Sequence, residues 1–276
     1  MLEIERRGNM PCLYAHHTFG QKVRGLLPEE MQECIATYEE QFNLGLQGPD
    51  YLFFFLPLHK NRVNQLGHRI HKKSCAFYLH KILPMAVKKG CYSPECAYLL
   101  GFMCHFMLDS RCHPCVNQQV QVTGTDHVDL EGEFDKYLMW KDGEDPETYP
   151  LWKHIPTDRL TVDTLEAAYP WAGRGQIRMS LNSFKFCKWI LTAKNPVRKQ
   201  CLIFFMKLTG LYEKLAGHYL WGEAKKGTGE TVRMFYELYK GEIRPAAEMD
   251  ILLWNMIRNE SKYKIPSRLR VNFSGK

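Results

Sequence analysis

The chain has no apolar run long enough to cross a bilayer. Its longest, YLFFFLPL at 51–58 and LIFFM at 202–206, fall far short of the ~20 residues a spanning helix needs, which leaves a soluble or surface-bound protein. Sustained apolar/polar alternation is also missing, so sheet architectures lose their main sequence signal. No internal repeat and no long linker is present, and neither a solenoid nor a forced domain break is expected. The opening residues MLEIERRGNMPCLYAHH mix charges of both signs without an apolar stretch. That is not the form of a secretory signal, and the expected location is the cytoplasm, or outside the cell only if a leader has been removed.

What is there fits a folded helical protein. At 276 residues with 45% hydrophobic and 24% charged residues, the chain can fill a proper core and is not a candidate for global disorder. Its ten cysteines are scattered through helical patterns, which reads as mostly buried free thiols rather than a disulfide frame. The net charge is +7, and the tail is basic: Arg258, Lys262, Lys264, Arg268, Arg270 and Lys276. A solvated segment is the favoured reading of that tail, with attraction to acidic lipid or nucleic acid second.

Helical periodicity runs almost throughout. GQKVRGLLPEEMQECIATYEEQFNLGLQG reads as a helix followed by a second one started at proline. NQLGHRIHKKSCAFYLHKILPMAVKKG reads as one long helix with Leu66, Ile70, Phe77 and Ile82 near one face, ended or kinked close to Pro84. SPECAYLLGFMCHFMLDS opens with Ser93 as a cap, Pro94 at the first helical position and Glu95 in the first turn. DHVDLEGEFDKYLMW follows a polar loop, residues 141 to 163 read as irregular, and three further helical stretches occupy the C-terminal part. The economical expectation is an all-α, single-domain helical bundle.

The informative stretch is GFMCHFMLDSRCHPC at 101–115, where metal-binding residue types interrupt an apolar helix. His105 and Asp109 stand four apart and project from one face. His127 and Glu131 repeat that spacing on a later helix, and His113 lies between the pairs. One such pair is commonly a surface or capping arrangement; two pairs with a histidine between them are harder to supply by chance. A buried imidazole or carboxylate without a partner is costly, and coordination removes the cost. Imidazole nitrogens with carboxylate oxygens, and no thiolate quartet, suit zinc best. Several such ligands arranged for more than one ion suit phosphate-ester hydrolysis.

Taken in order, YAHHTFG near the start, GPDY at 48–51, and HFMLDSRCHP with HVDLEGEFD resemble the zinc-dependent phospholipase C family, which includes the fungal single-strand nucleases. The resemblance covers residues 11 to 135 and implies two or three zinc ions per chain. One would be held by Asp50, His71, His105 and Asp109, and a second by His113, His127 and Glu131. A third would lie between His16 and a bridging Asp109, and Asp50 would be the base that activates water. His68 is held in reserve for His71, and His17 competes with His16. Residues 1–9 are read as an N-terminal extension and 10–276 as the helical domain with its zinc site in a cleft. The implied activity is hydrolysis of a phospholipid at a membrane surface. The alternatives are a single-strand nuclease and a non-catalytic, metal-stabilised helical protein. CHPC at 112–115 has two lesser readings, a redox dithiol or a source of thiolate for zinc.

Overall fold

The computed structural model describes residues 12–192, 195–210, 220–222, 224–259 and 265–276. The expected extension at 1–9, Lys262, Lys264 and the helical reading of 211–219 lie outside the described residues. Among those described, every regular element is helical and none is a strand. In chain order they are α1 (Leu13–Arg24), α2 (Glu29–Thr37), α3 (Glu39–Gly45), a 3-10 turn (Asp50–Phe54), α4 (Arg62–Lys72), α5 (Cys75–Lys89), α6 (Pro94–Thr123) and α7 (His127–Lys141). A second 3-10 turn (Leu151–His154), α8 (Arg159–Ala168), α9 (Arg174–Leu191), α10 (Pro196–Leu208), α11 (Gly229–Asn259) and a last 3-10 turn (Ser267–Arg270) complete them.

The central element is α6, buried along most of its first half from Glu95 to Asp109. Its start follows from its first residues: the Ser93 hydroxyl accepts a hydrogen bond from the Cys96 N–H at 3.1 Å, with proline in the first turn. α3 and α11 are its most extensive neighbours. The α3 contact depends on two facing glycines. A Cβ on Gly45 would lie 2.3 Å from the Tyr98 carbonyl oxygen, and one on Gly101 2.2 Å from that of Phe42. Without side chains at these two positions the backbones touch, and the turn after α3 is drawn against the middle of α6. One hydrophobic cluster extends from Leu13 on α1 to Phe273 near the C-terminus.

The structure corrects several local expectations. The long helix expected over 64–90 is two, because the chain turns extended at Lys73 and Ser74 caps α5 by accepting from the Phe77 N–H. Pro84 sits inside α5, and Phe77 points outward, 44% exposed. α6 itself runs on past CHPC and Pro114 to Thr123, and α11 runs through Pro245. A proline removes one backbone hydrogen bond, and in these long, heavily packed helices the remaining contacts outweigh that loss. Residues 159–163 begin α8, capped by Asp158, instead of being irregular. All ten cysteines are free thiols, but only five are buried.

Candidate metal centre

The expected ligands come from five elements. His16 is on α1, Asp50 opens the first 3-10 turn, His71 is in the last turn of α4, His105, Asp109 and His113 lie along α6, and His127 and Glu131 open α7. They converge in three groups: Asp50, His71 and His105; His16, His105 and Asp109; His113, His127 and Glu131. Within each group the ligand atoms all lie within 4.8 Å of one another. His105 is common to the first two, and Asp109 Oδ1 lies 3.8 Å from His113 Nε2, so the groups are contiguous.

The individual separations fit a shared cation. His71 Nε2 is 2.9 Å from Asp50 Oδ1, His16 Nε2 is 3.1 Å from Asp109 Oδ1, and His105 Nε2 is 3.3 Å from Asp109 Oδ2. Glu131 Oε1 lies 2.9 Å from His127 Nε2 and 3.3 Å from His113 Nε2. Tetrahedral zinc with bonds of about 2.1 Å places its ligands about 3.4 Å apart, close to these values.

Tautomers sharpen the fit. Nδ1 of His71 lies 2.8 Å from the Gly67 carbonyl, Nδ1 of His105 3.2 Å from that of Leu46, and Nδ1 of His113 2.8 Å from that of Phe273. A carbonyl oxygen only accepts, so each Nδ1 carries a proton and donates it. As metal ligands these rings are neutral at Nε2, and their lone pairs then face carboxylate oxygens, an arrangement that repels unless a cation or a proton lies between. Backbone carbonyls that orient imidazoles in this way are the usual outer support of metal ligands. Consistently, His105 Nε2, Asp50 Oδ1 and His16 Nδ1 are buried without a hydrogen bond.

Without an ion, the carboxylates draw a proton onto some of these rings. Burial opposes the His113 cation, yet Asp109 and Glu131 push its pKa up to about 10. Burial likewise opposes the Glu131 anion, but His127 and His113 hold it down at about 2. Asp109 overcomes its own burial through His113, His105 and His16, which keep its carboxyl far below the usual range. At His105 burial wins and pushes the imidazole down to about 4, against the pull of Asp109. That ring is therefore neutral, with a lone pair to give, at any physiological pH.

The two open choices are placed by the fold. His17 stacks on His154, with ring centroids 3.9 Å apart, and His68 packs on Phe53; His16 and His71 face the acids. Among the described residues no group of this kind includes a cysteine, so Cys112 and Cys115 stand apart from the centre. Tyr51 is fully buried packing.

Other supporting residues are not among the expected ligands. The Asp135 carboxylate, one turn beyond Glu131, accepts from the Ala15 N–H at 2.8 Å and the Tyr14 N–H at 3.3 Å. It caps α1 from another helix and so fixes His16. Burial raises its pKa to about 6 against those hydrogen bonds. Lys188 of α9 is buried nearby, where burial lowers its pKa while Asp135 raises it. Gly48 has φ of +51° and passes directly over the His105 ring.

This helical frame with buried His/Asp and His/Glu groups has the character of a zinc hydrolase. The family model for zinc dependent phospholipase C matches residues 11–169, more than half of the chain, and the chain belongs to that family. No curated protein and no solved structure matches it.

Proposed function

We propose that the chain hydrolyses phosphodiesters with two or three zinc ions, and that its substrate is a phospholipid. The observation that carries this is the set of three buried imidazoles, held by carbonyls at Nδ1, that aim Nε2 at Asp50, Asp109 and Glu131. In this reading Asp50, His71 and His105 bind one ion with help from Asp109, and His113, His127 and Glu131 bind a second. His16 and Asp109 flank a third position. Zinc held there supplies Lewis acidity toward a phosphoryl oxygen and toward water.

The protein's own groups supply the rest. Asp50 offers a buried carboxylate oxygen without a hydrogen bond, placed to take a proton from the attacking water. Asp109 lies within 3.8 Å of His16, His105 and His113, and it would be the ligand that joins neighbouring ions, which together would stabilise charge on the phosphoryl oxygens. The His127 side chain, 26% exposed, marks a side from which a phosphoryl group reaches the cluster. Family membership supports the phospholipid; single-stranded nucleic acid is the runner-up substrate.

The test is zinc-reconstituted protein incubated with phosphatidylcholine in detergent micelles and, separately, with single-stranded DNA. Release of phosphocholine, lost in Asp50→Asn, is the expected result. Cleavage of DNA alone overturns the lipid assignment, and inertness on both with zinc bound overturns the hydrolase.

A further inference from the structure

From residue 167 to residue 212 the sequence holds eight basic residues and no acidic one. The same stretch supplies eight of the 17 large apolar side chains exposed among the described residues. On α10 the apolar positions Val197, Cys201, Phe204, Phe205 and Leu208 fall at helical spacing on one stripe, and that stripe faces outward. Phe204 is 69% exposed, Phe205 58% and Leu208 72%, while Met206 is the buried residue of the helix. An amphipathic helix that turns its apolar face away from the core has left that face for something else.

The neighbouring helix continues the surface. Phe186 and Trp189 of α9 are exposed, with ring centroids 5.8 Å apart. Arg198 joins the two helices: its guanidinium lies 4.4 Å over the Trp189 ring and donates to the Trp189 carbonyl at 2.9 Å. On the opposite side of α9, Lys188 is buried and senses Asp135 and Glu131.

We propose that the outer faces of α9 and α10 form a docking surface for an anionic lipid bilayer. Aromatic and aliphatic side chains on two helices that carry Arg178, Lys185, Arg198 and Lys207 and no acid of their own match the chemistry of that interface, while Lys199 is paired with Glu147 and Lys188 faces inward. The apolar face enters the acyl boundary, and Lys or Arg meet the acidic headgroups. A second copy of this chain would set like charges against each other, because both faces carry the same basic excess. The inference rests on the phospholipid reading for its biological sense, but it is tested without catalysis.

The full-length protein is sedimented with phosphatidylcholine vesicles, with and without phosphatidylserine, alongside the double variant F204S/F205S. Hydrolysis of a soluble phosphodiester is followed in the same preparations. The expected result is binding that needs phosphatidylserine, weakens with salt, and falls at least about tenfold in the variant, with soluble-substrate hydrolysis unchanged. No sedimentation of the wild type, equal binding by the variant, a surface that captures single-stranded DNA instead, or a dimer that the variant dissociates would each overturn it. Vesicle binding by a protein inert on every phosphodiester would overturn the hydrolase reading and leave the docking surface standing.

Discussion

Replacing Gly48 by alanine tests how tightly the fold holds His105. A Cβ at this position would lie 2.3 Å from His105 Cδ2, 2.6 Å from Nε2 and 2.8 Å from Cγ. Ordinary contact needs about 3.5 Å, so the ring must retreat by about 1 Å. Zinc–nitrogen bonds tolerate about 0.2 Å, so a ring displaced that far no longer coordinates, and its hydrogen bond to Leu46 is lost as well. The left-handed backbone at φ of +51° costs an alanine about 1–2 kcal/mol by itself. With the lost hydrogen bond the total is about 2–4 kcal/mol.

Gly124→Ala is the control: φ there is +69° and nothing lies within 4 Å of the added carbon, so it carries the backbone cost alone. Metal content after dialysis against a competing chelator, together with thermal melts, separates the two. Gly48→Ala is expected to lose zinc from the two groups that share His105 and to keep it at His113, His127 and Glu131. Gly124→Ala keeps everything. If Gly48→Ala retains full zinc and melts like Gly124→Ala, the packing argument and the role of His105 both fail.

Asp109→Ala should lose more zinc than Asp50→Ala, since Asp109 approaches His16, His105 and His113; equal metal content in the two variants would remove Asp109 as the link. In chelator-treated protein, His113 has its folded pKa raised from 6.5 to about 10. That contribution is complete below pH 6.5 and disappears as pH rises toward 10. Urea denaturation of the metal-free form should therefore show a decline of up to ~3 kcal/mol between pH 7 and 10. The zinc-loaded form should decline less, and a flat metal-free profile would count against the His113–Glu131 pairing. Ser93→Ala removes the cap of α6, with an expected cost of about 1 kcal/mol and a melting temperature lower by about 2–4 °C; metal content should not change, and a loss of zinc would show that the cap does more than start the helix.

The centre was legible where one helix carries the spacing. His105 with Asp109 and His127 with Glu131 are four apart, so local geometry alone puts each pair on a face. The start of α6 was legible for the same reason, since Ser93, Pro94 and Glu95 act within one turn. Nothing local announces the rest. The carbonyl that orients His113 belongs to Phe273, far along the chain, and the one that orients His105 belongs to Leu46. Any residue presents a carbonyl, so composition cannot mark these. Gly48 looks like a turn glycine until His105 is seen beneath it. The break at Ser74 is hidden because apolar periodicity continues on both sides, while Pro84, read as an end or a kink, sits inside a helix that packing carries past it. The apolar stripe of α10 is plain in sequence, but periodicity does not say which way a stripe faces.

The central claim is that these side chains surround cations. Anomalous diffraction at the zinc edge, from crystals of zinc-reconstituted protein, tests it most directly. The account predicts peaks bounded by Asp50, His71 and His105 and by His113, His127 and Glu131, with a third position beside His16 and Asp109 where a third ion binds. A map without peaks at these groups, with the imidazoles and carboxylates satisfied by one another, would contradict it.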